Sequence, residues 1–132
     1  MRKIIISIGA SMDHFGAYAE NCEGVYGAGN TAKEAVDNAK EGLRLLKESR
    51  PEDQWPDILK GEYEFVYRYD IQSILNYYLG ILKAPALERL TGVNQKQLHH
   101  YASGLKMPRE QQKQKIIKGL HALGRELMAA EL

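Results

Sequence analysis

The sequence has a single cysteine, Cys22, among its 132 residues. No intramolecular disulfide can form, and a reducing compartment fits. A lone cysteine reads as a bystander, because a reactive thiol needs surroundings that stabilise the thiolate. No apolar run is long enough to span a bilayer. Met1–Gly9 is basic and then apolar, but the apolar run is short and no small-residue cleavage site follows, so it does not read as a signal peptide. A cytoplasmic protein with no membrane partner is expected. His14, His99, His100 and His121 have no partner at metal-ligand spacing, so neither a metal nor another cofactor is expected. Gly24-Val25-Tyr26-Gly27-Ala28-Gly29 lacks the following Lys-Ser/Thr of a phosphate loop; a turn leading into a close-packed strand explains it better. Internal repeats and low-complexity segments are absent.

Net charge is also close to nothing, at +1, but it is unevenly spread. Residues 1–83 carry 13 acids against 10 Lys/Arg, and residues 84–132 carry 4 against 8. An acidic module followed by a basic one is implied, and a basic end suits a nucleic-acid face.

Residues 3–9 predict a strand whose isoleucines point to both sides, as in a strand covered on both faces. Residues 14–20 and 25–29 predict two more, in an antiparallel meander. Thr31 to Glu48 predicts a helix: Thr31 and Glu34 form a capping box, and Ala32, Ala35, Val36, Ala39, Leu43 and Leu46 share one face. Small residues lead that face, which lets the helix lie close on a sheet. Pro51 ends it. A loop follows to Gly61, with one helical turn at 57–60. Glu62 to Asp70 alternates strictly, with Tyr63, Phe65, Tyr67 and Tyr69 on one side. The fold class expected is α+β: a β-β-β-α-β domain over residues 1–69, then an all-α domain over 70–132.

In the second domain the period becomes helical. Helices are expected from Ile71 to near Lys83, over 85–90, from Asn94 to Ala102, and from Pro108 or Arg109 to about Ala130. Leu87 to Gly104 is the informative stretch. Gly92 supplies a tight turn between two short helices. Leu87, Leu90, Val93, Leu98 and Tyr101 make their shared core. Gln95, Lys96, Gln97, His99, His100 and Ser103 are left outside, with no acid among them. Gln pairs bidentately with adenine, and Lys with guanine or phosphate. The start of such a helix is what meets base edges, so Gln95, Lys96, Gln97 and His100 are the candidate readers, with His99 beside them. Asn94, Lys106 and Arg109 are candidate phosphate contacts.

Residues 86–126 resemble the helix-turn-helix of the XRE (phage-repressor-like) family, through Thr91-Gly92-Val93, Asn94-Gln95, and the spacing on to Gly104 and Pro108. His99-His100-Tyr101 stands where that family often has small or basic residues. Residues 14–48 resemble the HicB antitoxin family. The resemblance rests on His14 to Glu20, Gly24 to Thr31, and Gly29-Asn30-Thr31-Ala32-Lys33-Glu34-Ala35, which matches the family's G-x-T-x-x-E-A fragment. The family's Pro-Gly-Cys segment before the third strand is missing. The resemblance implies a partial ribonuclease-H-like domain joined to a DNA-binding domain. It implies an antitoxin that sequesters a small RNA-cleaving toxin, HicA-like, and represses its own operon.

No enzyme is expected. Ribonuclease-H chemistry needs carboxylates converging on two metal ions, one from the first strand, and Lys3–Gly9 has none. A basic toxin suits an acidic docking surface, so Phe15, Tyr18, Glu20, Glu23 and Tyr26, on or beside strands two and three, are the candidate partner face; the tyrosines could equally be core. In the last helix Leu120, Leu123 and Leu127 align, with Ile116, Ile117 and Met128 widening the stripe. A second copy is expected to cover it, giving a dimer suited to a palindromic operator. The alternative is a stand-alone transcriptional regulator with no toxin partner.

Overall fold

Strands β1 (Arg2–Ala10), β2 (Phe15–Ala19), β3 (Tyr26–Gly29) and β4 (Tyr63–Tyr69) form one mixed sheet in the order β3-β2-β1-β4 in the computed structural model, which describes all 132 residues. The first three strands pair antiparallel, as the meander required, while β4 runs parallel to β1. Parallel neighbours need a crossover, and helix α1 (Ala32–Ser49) supplies it. The α+β class and the β-β-β-α-β order are those expected from sequence.

Register puts the apolar residues on one face. Ile4, Ile6 and Ile8 stand beside Phe65, Tyr67 and Tyr69 on one side, and Ile6 and Ile8 beside Ala19 and Ala17 on the other. Ala35, Val36, Ala39 and Leu43 of α1 are buried over this face. The approach is close because β3 has no side chains in the way. A Cβ on Gly27 would lie 2.2 Å from the Ala39 nitrogen, and one on Gly29 2.4 Å from the Glu34 Cβ. The capping box forms at the start of α1: Thr31 Oγ1 accepts the Glu34 N–H at 3.1 Å, and the Glu34 carboxylate accepts the Asn30 N–H at 2.8 Å. At its far end the Trp55 Nε1 donates to the carbonyls of Lys47 and Arg50, both at 3.0 Å, satisfying acceptors that the helix leaves open. Two 3-10 turns, Glu52–Gln54 and Asp57–Leu59, occupy the loop where one was expected.

One expectation for β1 fails. Only the Ile4, Ile6 and Ile8 face is buried; Ile5 and Ser7, on the opposite face, are half-buried. Both sheet faces would need a helix to bury β1 twice, and this unit has a single long one.

The remaining helices are α2 (Ile71–Leu79), α3 (Ala84–Thr91), α4 (Gln95–Ser103) and α5 (Glu110–Ala129). Asp70 starts α2, with one oxygen accepting the Ser73 N–H at 2.7 Å and the other the Ala10 N–H at 2.8 Å. α2 stops before the expected Lys83, because the chain tightens at Gly80 and Ile81, whose N–H groups bond the carbonyls of Tyr77 and Tyr78. The chain divides into two compact units, Met1–Ser73 and Ile74–Leu132. Leu75, Leu87, Val93, Leu98, Tyr101 and Ile116 are the buried apolar side chains of the second. No helix is long and apolar enough to cross a membrane.

Candidate nucleic-acid interface

α3 and α4 are joined by only Gly92, Val93 and Asn94. Gly92 ends α3 at φ 75°, a left-handed conformation that a side chain disfavours, and its N–H bonds the Glu88 carbonyl. Thr91 locks the turn from inside. Its buried hydroxyl donates to the Leu87 carbonyl at 2.7 Å and accepts the Val93 N–H at 3.2 Å. Asn94 Oδ1 accepts the Gln97 N–H at 2.9 Å, capping α4. Leu98 and Tyr101 are buried on the inner side of α4, as spacing required.

The outer side carries the candidate residues. Asn94, Gln95, Lys96, His99, Lys106 and Arg109 are exposed, while Gln97 and His100 are half-buried. Lys96, Lys106 and Arg109 form no ion pair, so their charges remain available. His100 is turned further inward than expected: its Nδ1 is buried without a hydrogen-bond partner. Asn94 gives its oxygen to the cap. Sequence reasoning missed Glu88, whose carboxylate accepts the Gln95 N–H at 3.0 Å. It satisfies a free donor at the start of α4, but puts an acid beside the end that the sequence assigns to base edges. No local pattern signals it, because the bond crosses the turn between two helices.

The candidate partner face divides. Tyr18 and Tyr26 are register partners on adjacent strands, 52% and 60% exposed, on the sheet face opposite α1. Phe15 is not with them. It alternates to the inner face with Ala17 and Ala19 and is only 8% exposed. Glu20 accepts the Ser7 hydroxyl at 2.6 Å and pairs with Arg68 at 2.8 Å, so its charge is largely neutralised. Glu23 is exposed in the turn after β2 and is unpaired. Cys22 beside it is buried, and desolvation pushes its thiol pKa up.

The α5 stripe also divides. Ile116 is fully buried in its own unit, and Gly119 meets α3 so closely that a Cβ would lie 2.5 Å from the Leu90 carbonyl oxygen. Ile116, which widens the apolar stripe in the sequence, is therefore covered within the chain by α3 and is not left for a second copy. Leu120 and Leu123 are half-buried, and Leu127 is 65% exposed.

A groove of about 480 Å³ that the sequence did not reveal lies between α1 and β4, lined by Lys40, Leu43, Lys47, Trp55, Tyr63 and Phe65 among others. Its cations are used internally. Lys40 Nζ sits 5.1 and 5.0 Å from the ring centres of Phe65 and Tyr67, and Lys47 Nζ 4.8 and 5.1 Å from those of Trp55 and Tyr63. Arg44 pairs with Glu41 and Glu48, raising the Arg44 pKa and lowering that of Glu41. No group of three or more His, Cys, Asp or Glu is arranged to hold a metal ion. Comparison with protein-family models, curated proteins and solved structures finds no match.

Proposed function

We propose that the chain is a DNA-binding repressor of the antitoxin type, with α3 and α4 acting as a helix-turn-helix and the sheet unit sequestering a small basic RNA-cleaving protein. The observation that carries the DNA reading is the outer face of α4. It carries no acid and is exposed at Gln95, Lys96 and His99, with Lys96 unpaired on the helix and Lys106 and Arg109 unpaired after it, all held by a turn with both ends capped. Phosphate contacts supply the affinity and side chains at the start of the inserted helix supply the choice of sequence. In this reading Gln95 and Lys96 meet base edges, and Lys106 and Arg109 meet phosphates. The resemblance to HicB and XRE proteins supports the pairing of the two activities, and the exposed Tyr18, Tyr26 and Glu23 offer the partner a surface.

Titrating the full chain against DNA from upstream of its own gene, across a salt series, tests the DNA reading. Lys106→Ala should weaken binding to all sequences and reduce the salt slope by about 1, whereas Gln95→Ala should relax sequence preference. Binding that is indifferent to salt and to both variants would sink it. Purification from the native host tests the partner. A stoichiometric small basic protein, toxic alone and silenced by this chain, is the expected companion.

A stand-alone regulator is the second reading. The Glu20–Arg68 pair favours it, because it leaves Glu23 as the one unpaired acid among the candidate partner residues. DNA binding with no protein companion would select it.

Leu120, Leu123 and Leu127 are the proposed seam between copies. Leu123→Gln with Leu127→Gln should lower the molar mass in light scattering and weaken DNA binding. An unchanged mass would remove α5 from the assembly.

A further inference from the structure

β4 lies at an edge of the sheet, and in the sheet only β1 pairs with it. Exposed edges recruit other strands, and proteins normally blunt them with proline, lysine, bulges or short length. The other edge, β3, has only four residues. β4 has seven, Tyr63-Glu64-Phe65-Val66-Tyr67-Arg68-Tyr69, with neither proline nor lysine, and its register with β1 is unbroken from end to end.

The Asp70 N–H donates toward β1, to the Ile8 carbonyl at 3.1 Å. Backbone groups alternate sides along a strand. Those of Glu64, Val66 and Arg68 therefore face β1, and those of Phe65 and Tyr67 face the open edge. We propose that β4 pairs antiparallel with β4 of a second copy, about a two-fold axis at Val66, joining two sheets into one of eight strands.

The sequence is self-complementary in that register. Val66 meets Val66 of the second copy, and Phe65 meets Tyr67 twice, on the face where their rings already stack with centres 6.1 Å apart. Glu64 meets Arg68 twice. Glu64 has no partner within the chain, and the Arg68 side chain is 61% exposed, holding Glu20 through Nη1 alone. Opposite charges and aromatic pairs at facing positions are the arrangement that stabilises a two-strand ladder. The outward-facing amides of Phe65 and Tyr67 fall opposite one another, so they form hydrogen-bonded pairs, while Val66 forms the closer non-hydrogen-bonded pair. A slip of the pairing by two residues either way separates Glu64 from Arg68.

Tyr67→Pro in the full chain tests this. It removes an N–H that faces the open edge and leaves the bonds to β1 in place. Molar mass by sedimentation should fall by half or more, with the circular dichroism of the fold retained; an unchanged mass overturns the proposal. Val66→Cys tests it without relying on that variant. Facing non-hydrogen-bonded residues lie within disulfide reach, so mild oxidation should link two copies through position 66 far more than through fully exposed Met12→Cys. Linkage at 66 no greater than at 12, or linkage to a different protein, overturns it.

Discussion

Glycine serves opposite ends in the two units. In the sheet unit, Gly27 and Gly29 provide space, since α1 occupies the volume that their side chains would need. In the helical unit, Gly92 and Gly104 provide shape. Both end helices at positive φ, 75° and 81°, and nothing lies within 4 Å of where the Gly92 side chain would begin. At these positions one unit is limited by packing and the other by backbone conformation. The division is not complete: Gly119 is a packing glycine between α5 and α3, and Gly24 and Gly61 in the sheet unit take positive φ, 87° and 85°.

Substitution separates the two limits. Gly27→Val should have the largest effect, destabilising the sheet unit by about 3 kcal/mol or more, because the clash is with helix backbone and no flexible side chain can yield. Urea unfolding reads it, and a midpoint equal to wild type would mean that α1 can lift from β3 at little cost. Gly92→Ala should cost less, about 1–2 kcal/mol, all of it conformational. Gly92→Asn should recover part of that loss, since Asn tolerates the left-handed region. If Ala and Asn behave alike at 92, shape is not what limits this turn. Glu88→Gln should act least. The amide still accepts the Gln95 N–H, so stability should drop by only about 0.5 kcal/mol through the lost charge at the start of α4. If α4 binds DNA as proposed, the same variant should bind it slightly more tightly, as one acid leaves the end of the helix assigned to base edges. Weaker DNA binding would instead make Glu88 a needed orienting group.

Elements set by local chemistry were legible in the sequence. Thr31 and Glu34 mark the start of α1, strict alternation marks β4, and Gly92 with Asn94 marks the turn between α3 and α4. What depends on distant neighbours was not. Nothing in residues 63–69 says that they run parallel to β1. Phe15 and Tyr18 lie on one short strand, and which aromatic turns inward is decided by register with β1 and by α1 above it. The Ile116 side of α5 reads as an open stripe until α3 is placed against it. At the candidate interface the composition of α4's outer face was readable, but Glu88 and the inward turn of His100 follow from packing.

The contact between β3 and α1 also constrains how this sequence can vary over generations. Every single-base change that alters a glycine codon to another residue yields a larger side chain, so positions 27 and 29 have no harmless one-step neighbour. Ala35 and Ala39, whose backbone atoms press on Gly27, are themselves fully buried and have no open space in which to grow. Descendant sequences should drift freely over the outer turns of α1, at Lys33, Asp37 and Glu41, while this small block of glycine and alanine passes on together or is replaced together.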